Sequence, residues 1–299
     1  MAEEPDGPRR SIPDVPPPPP GEWPLVGASS PPPRHGRPAR GGRAEPLVGI
    51  GLSVAAIAVY LLTQFALQLV VGLALLGTGL IDPLLLDPTA GGVSLLALVV
   101  VSQVAGLLAA FWLLRRRGVP LRPIVGPLRP VGRHVGIGVG LGLLAIVGST
   151  LLVSLLVTLT GSEATPEQVL TEGIADTPAQ LALAVLAAVV MAPLAEELLF
   201  RGLLHRGLRR RMRIVPAILL SSVLFAVVHV DVAASQPLAL VGLTFVGIIL
   251  ALAHERTGSL LVPVVIHATH NAVTIVAVVV TSRLDLDLSA RALLGGTLP

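Results

Sequence analysis

Long apolar stretches alternate with short polar loops along most of this chain. Each stretch approaches the ~20 residues that a helix needs to cross a bilayer. In order, they cover approximately Leu47–Leu76, Val93–Leu114, Val135–Leu159, Ala179–Leu208, Ile214–Val230, Leu238–Ala253 and Leu260–Thr281. Because a helix satisfies its own backbone polar groups in lipid, the pattern predicts an all-α fold, a polytopic transmembrane helical bundle of about seven spans.

The composition agrees with a membrane protein. Of the 299 residues, 53% are hydrophobic and 13% are charged, whereas soluble domains carry about 25% charged residues. The absence of cysteine excludes disulfides, thiolate metal ligands and a cysteine nucleophile. All 21 basic residues are arginines, which excludes Schiff-base chemistry. The net charge is small, at +3, and the arginines cluster in loops. This distribution indicates that the arginines set the orientation of the helices in the membrane rather than bind nucleic acid.

The polar ends of the chain predict two tails around the membrane helices. Residues 1–45 are rich in Pro, Gly and Arg, which predicts a disordered cytoplasmic tail. We expect N-terminal transmembrane helices over residues 46–178, a helical core that carries the candidate site over residues 179–281, and a short C-terminal tail over residues 282–299.

Arginines are distributed unevenly among the loops. The loops at 81–92, 161–178 and 231–237 contain none, whereas every other loop and the N-terminal tail contain arginine. Positive charge marks cytoplasmic loops, so we predict a cytoplasmic N-terminus and a C-terminus outside. The expected location is the cell (plasma) membrane, as a multi-pass protein with the lipid bilayer as its surroundings.

Two adjacent carboxylates lie inside the fourth apolar stretch. Ionisable groups at membrane depth are costly, so Glu196, Glu197 and Arg201 indicate either a functional site or an ion pair that holds helices together. Glu197 and Arg201 are i,i+4 neighbours in the favourable order for an ion pair. Such a pair would leave Glu196 about 100° around the helix and available for other chemistry.

Two later apolar stretches carry polar groups at a matching depth. Phe225 and His229 are i,i+4 neighbours, and so are His267 and Asn271. Counted from the arginine-bearing loops, these polar groups and Glu196 all lie roughly 12–22 Å into the bilayer at ~1.5 Å per residue. We therefore expect them to meet at one level.

A carboxylate with two imidazoles permits two kinds of hydrolytic chemistry. The set can activate water as a general base, or it can bind a divalent metal such as zinc through Glu196, His229 and His267. An Asn and a His can also donate hydrogen bonds to a developing oxyanion. Hydrolysis of a peptide or amide bond within the membrane is the reaction class that this set implies.

Other hydrolase motifs fit less well. The pair His254–Glu255 does not complete a zincin motif, since Gly258 stands where a second His is required. Ser221 and Ser222 lie in the fifth stretch, but neither has the sequence of a nucleophile elbow.

The three motifs together resemble those of the CPBP family of CAAX-type prenyl proteases and bacteriocin-processing or immunity proteins, also called the Abi family. The family's motifs are Glu-Glu-x-x-x-Arg, Phe-x-x-x-His and His-x-x-x-Asn. They match Glu196, Glu197 and Arg201, then Phe225 and His229, then His267 and Asn271. Three motifs in this order on three membrane stretches are specific, and the resemblance covers about residues 179–280.

The resemblance implies an intramembrane endopeptidase, a hydrolase that acts on a peptide or protein substrate at the membrane. Glu196 and His229 would activate water, and His267 and Asn271 would stabilise the oxyanion. The supporting residues would be Glu197, Arg201 and Phe225. The cofactor stays open, because a metalloprotease with zinc on Glu196, His229 and His267 and a metal-free glutamate mechanism both fit these residues.

Two functions of other classes are also consistent with the residues. A non-enzymatic membrane scaffold or bacteriocin-immunity protein would keep the polar groups for stability. A proton-coupled transporter would use Glu and His as a relay. Inverted repeats would favour transport, and the sequence shows no convincing internal symmetry.

The distribution of arginines predicts the membrane topology. Reporter fusions at Gly126, in an arginine-rich loop, and at Glu167, in an acidic loop, should report opposite sides of the membrane, with Gly126 cytoplasmic. Reports from the same side at both positions would contradict the seven-stretch topology.

Overall fold

A computed structural model of the protein describes residues 48–77, 88–161, 177–229 and 237–293. The regular elements within these ranges are all helices, which confirms the predicted all-α bundle. The tail predicted at residues 1–45 lies outside the described ranges.

Eight helices run through the described ranges. They are α1 (Ile50–Gly77), α2 (Pro88–Arg116), α3 (Arg122–Val125), α4 (Val131–Thr160), α5 (Pro178–Arg209), α6 (Ile214–Val227), α7 (Ala239–Thr257) and α8 (Leu261–Leu293). Six of these are long and apolar enough to cross a membrane, and the two others are α3 and α6. At ~1.5 Å per residue, α6 is ~21 Å long and shorter than the ~30 Å hydrocarbon core. The predicted bundle therefore consists of six long helices and one shorter apolar helix.

Two helix ends differ from the apolar pattern. The pattern carried the fifth stretch to Val230, but α6 ends at Val227. The amide of His229 donates to the carbonyl of Ala226 at 3.0 Å. This bond spans three residues, so it closes a tighter turn than the four-residue bond of an α-helix. The last helix runs on to Leu293, into the segment predicted as a tail, because that segment contains helix-forming residues and its first glycine is Gly295.

The fifth helix lies at the centre of the bundle. The other five long helices and α6 pack in pairs, α1 with α2, α4 with α8, and α6 with α7, and α5 contacts members of every pair. Half of the most apolar window of α5 is buried, compared with 11–39% for the other five candidate spans. Polar groups on α5 are therefore the ones that the bundle shields best from lipid.

Small residues bring α4 and α8 together. A Cβ atom at Gly138 would lie 2.5 Å from Cβ of Val265, and one at Gly142 would lie 2.6 Å from Cβ of Thr269. Helices in lipid associate through such close contacts between small residues four positions apart. This contact fixes the rotation of α8, and with it the direction of the polar side chains that α8 carries.

We expect Gly142→Ala to destabilise the bundle by about 1–3 kcal/mol, because the added methyl group would overlap Thr269 and the carbonyl of Ile266. Gly140→Ala is the matched control. Gly140 lies two residues earlier on the same helix, and a methyl group added there would meet no atom within 4 Å. This substitution should be neutral or slightly stabilising. Unfolding midpoints in detergent measure both, and equal effects would refute the packing argument.

Candidate active site

The central helix α5 is not a regular α-helix. Two π-helical segments, Leu186–Met191 and Leu198–His205, flank the α-helical turn Ala192–Glu197. Pro193 has no amide hydrogen and its ring crowds the preceding turn, which a widened π-helical turn relieves. The turn that carries Glu196 and Glu197 is therefore set between two segments of wider helix.

Glu197 forms a buried ion pair. Nη1 of Arg201 donates to Oε1 of Glu197 at 2.8 Å, and the two side chains are 1% and 0% exposed. Nδ1 of His267 lies 3.0 Å from the same carboxylate oxygen. The i,i+4 ion pair predicted from the sequence is thus present, and it includes a histidine from α8.

Arg201 is held by two further groups. Its Nη2 donates to the carbonyl of Gly247 on α7 at 3.3 Å. Its guanidinium carbon lies 4.4 Å from the centre of the Phe225 ring on α6, within the range of a cation–π interaction. Phe225, predicted as a supporting residue, therefore contacts the buried ion pair directly.

Glu196 faces His229 instead. Nε2 of His229 lies 3.5 Å from Oε2 of Glu196, and the two side chains are 24% and 16% exposed. Glu196 is thus the more exposed of the two adjacent carboxylates, and Glu197 is fully buried. The prediction that Glu196 faces away from the Glu197–Arg201 pair agrees with this geometry.

The backbone fixes the tautomer of His229. Its Nδ1 lies 2.8 Å from the carbonyl of Phe225, which can only accept a hydrogen bond, so Nδ1 carries the hydrogen. This bond takes the carbonyl that the amide of residue 229 would use in a continuing helix, which explains why α6 ends here. In the neutral ring, Nε2 then presents a lone pair towards Glu196.

Phe225 lies between the two histidines. Its ring centre is 4.8 Å from the ring centre of His229 and 5.7 Å from that of His267. The two imidazoles therefore share one aromatic neighbour, but each meets a different carboxylate. The sequence predicted that they meet at one level, and it could not distinguish their partners.

Asn271 is anchored on α5. Its Nδ2 donates to the carbonyl of Ala188 at 2.7 Å, within the first π-helical segment, and its Oδ1 lies 3.4 Å from Nδ1 of His270. One amide hydrogen of Asn271 is thus committed to the backbone. This hydrogen bond links α8 to α5, one turn along α8 from the contact of His267 with Glu197.

Comparison with known protein families supports the relationship that the motifs suggested. Residues 178–273 match the family model described as Type II CAAX prenyl endopeptidase Rce1-like. This segment belongs to the CAAX-protease family. All seven residues of the three motifs lie inside it, whereas α1, α2 and α4 lie outside it. No curated protein and no solved structure matches the chain. At the level of the family, the segment is that of a CAAX-type intramembrane protease.

The CAAX-protease segment does not present the proposed zinc ligands in a binding arrangement. Glu196 and His229 are close to each other, and Nδ1 of His267 is directed at Glu197, which leaves Nε2 as the only nitrogen of His267 that could bind a metal. Among the described residues, no group of three or more His, Asp or Glu side chains is placed to hold a metal ion. A catalytic zinc site needs three protein ligands around one point, so no step below is assigned to a metal.

A second polar cluster lies in the CAAX-protease segment, and the sequence motifs did not predict it. His205, which is 1% exposed, approaches Glu255 at 2.8 Å, and Nε of Arg209 donates to the same carboxylate oxygen at 2.6 Å. The sequence did hold a signal, since His205 follows Arg201 by four residues on one helix face. The residue pair His254–Glu255, which fails as a zincin motif, is thus part of an ion-pair network.

The different burial of the two carboxylates predicts different costs of neutralising them. Glu197→Gln leaves the charge of Arg201 buried beside a neutral partner, and we expect a loss of about 3–5 kcal/mol in stability. Glu196→Gln is the isosteric control at the adjacent, more accessible position, and its folded yield should stay near normal. Unfolding midpoints and folded yields in detergent measure the difference. Equal losses in the two variants would contradict this division.

Proposed function

We propose that this chain is an intramembrane endopeptidase in which Glu196 is the general base. The observation that carries the proposal is the partly exposed Glu196–His229 pair, set beside a fully buried Glu197–Arg201 pair within a CAAX-protease segment. Glu197 is fully buried and its Oε1 is paired with Arg201, so it has no access to water and fits a structural role. A general base must instead reach water and substrate.

The geometry of Glu196 and His229 favours a water molecule as the reacting partner. The carboxylate and the Nε2 lone pair are both acceptors, and at 3.5 Å they are wider apart than a direct hydrogen bond of usual length. A water molecule can donate one hydrogen to each acceptor, which orients its oxygen lone pair away from both. The proposed nucleophile is this oxygen.

In the proposed reaction, the water oxygen forms a bond to the carbonyl carbon of the scissile peptide, and Glu196 takes the proton. The carbonyl oxygen becomes the oxyanion of a tetrahedral intermediate. The C–N bond then breaks, and the proton held by Glu196 passes to the leaving amine. A positioned base of this kind contributes about 10²–10⁴-fold to the rate.

We propose that His267 and Asn271 stabilise the oxyanion. Because Nδ1 of His267 donates to Glu197, donation to an oxyanion requires a hydrogen on Nε2 as well. Glu197 would then be the counter-ion of an imidazolium, and Arg201 would hold that carboxylate in place. Asn271 retains a second Nδ2 hydrogen beyond the one bound to Ala188.

The proposed substrate is a peptide segment of a membrane-associated protein. The family description names a CAAX prenyl endopeptidase, and we extend its endopeptidase activity to this chain because the groups argued above act on a peptide bond. We also propose a plasma-membrane location. With a cytoplasmic N-terminus, proposed from the loop arginines, the arginine-rich end of α5 faces the cytoplasm.

The test is cleavage by the purified full chain in proteoliposomes. The substrates are a farnesylated CAAX peptide, its unfarnesylated form and a mixed peptide library, with products identified by mass spectrometry. Glu196→Gln and His229→Gln should each lower the cleavage rate by about 10²–10⁴-fold while the unfolding midpoint stays near that of the wild type.

His270→Gln is the control for loss of an imidazole. His270 lies on α8 beside the motif and contacts Asn271 at 3.4 Å, so its replacement should change the rate by less than about tenfold. A wild-type chain that yields no cleavage product, or a Glu196→Gln variant that keeps full activity, would favour the non-enzymatic scaffold.

A further inference from the structure

A cavity lined by charged side chains lies at the C-terminal end of α5. Its volume is about 340 Å³, and α3, the last turns of α5 and the end of α7 form its walls. The charged and imidazole groups that line it are Arg206, Arg209, Arg210, His205, His254 and Glu255. Three guanidinium groups therefore face one carboxylate, which leaves two positive charges in excess when the histidines are neutral.

The single carboxylate is already engaged. Oε1 of Glu255 accepts from Arg209 at 2.6 Å and meets His205 at 2.8 Å. Arg206 donates from Nη1 to the carbonyl of Pro123 at 2.7 Å and from Nε to Nε2 of His254 at 3.3 Å. Since it accepts from an arginine, His254 is the neutral tautomer. The network thus orients Arg206 and Arg209 without cancelling the excess positive charge.

The cavity is separate from the proposed active site. Arg206 lies on α5 and Arg210 directly follows its last residue. They come 10 and 14 residues after Glu196, which corresponds to about 15 and 21 Å along a helix. Arg210 is exposed, and the loop that follows contains further arginines. An apolar helix that ends in such a cluster places the cluster at the membrane surface, at the level of the lipid headgroups.

We propose that this cavity binds a phosphate group, supplied by an anionic phospholipid of the surrounding leaflet. Guanidinium groups match phosphate oxygens with paired hydrogen bonds, and a basic cavity between membrane helices at the headgroup level is where such a phosphate is available. The inference rests on the contacts in the cavity and is independent of the proposed proteolysis.

The experiment measures equilibrium binding to the full chain in neutral detergent by titration calorimetry. The probes are short-chain phosphatidylglycerol, inorganic phosphate and an acetylated tetrapeptide with a free C-terminal carboxylate. Phosphatidylglycerol should bind saturably to the wild type, and Arg210→Gln should weaken that binding about tenfold, the loss expected for one charge-assisted contact. Because Arg210 is exposed, this variant should keep the wild-type unfolding midpoint.

Arg211→Gln is the matched control. Arg211 is the next residue, it is also exposed and it does not line the cavity, so its replacement removes the same charge and should change binding less than twofold. Arg210→Lys keeps the charge but loses the fork of donors, and it should fall between the wild type and Arg210→Gln.

The outcomes separate the sources of phosphate. Tighter binding of phosphatidylglycerol than of inorganic phosphate supports the lipid, and equal binding with the same dependence on Arg210 supports a free-phosphate site. Equal losses in the Arg210→Gln and Arg211→Gln variants would show attraction to general surface charge and would overturn the proposal. Preferential binding of the tetrapeptide, or no saturable binding of either phosphate probe, would overturn it as well.

Discussion

The buried ion pair between Glu197 and Arg201 is the interaction on which the rest of the site depends. Two charges removed from water cost several kcal/mol each, and hydrogen-bond partners offset part of that cost. Here the partners come from different helices, since Arg201 reaches Gly247 on α7 and the Phe225 ring on α6, and Glu197 reaches His267 on α8. Four helices are therefore tied at one point, and two of them, α6 and α8, bring the motif residues Phe225 and His267 to it.

That arrangement requires close approach of the helix backbones. A Cβ atom at Gly247 would lie 2.9 Å from Cβ of Ser222, so the glycine lets α6 and α7 pack closely enough for its carbonyl to reach Arg201. The glycines of α4 act in the same way on α8. In lipid, where burial of apolar surface does not drive helix association, such contacts set the rotation of each helix. The helix rotations in turn decide which side chains face the ion pair.

Much of this could be read from the sequence. Hydropathy predicted about seven apolar spans, which the structure shows as six long helices and one shorter apolar helix, and i,i+4 spacing predicted the Glu197–Arg201 pair. The partner of each histidine could not be predicted, because it depends on the rotation of α8 against α5. The π-helical segments of α5 also leave no period in the apolar pattern, since they change the register by single residues. The end of α6 at Val227 depends on one side chain, that of His229, bonding back to Phe225.

The two proposed sites lie at different positions along one helix. Glu196 lies in the turn of α5 between the two π-helical segments, and the arginine cavity lies at the end of the same helix. A phosphate held at the membrane surface would fix the depth of α5, because the second π-helical segment and the last turn connect the two points continuously. Since the Glu197–Arg201 pair links α5 to α6, α7 and α8, that anchor would also fix the depth at which Glu196 meets a peptide bond. An intramembrane hydrolase needs such control, because the depth of its base decides which bond of a membrane-bound substrate comes within ~3 Å of the activated water.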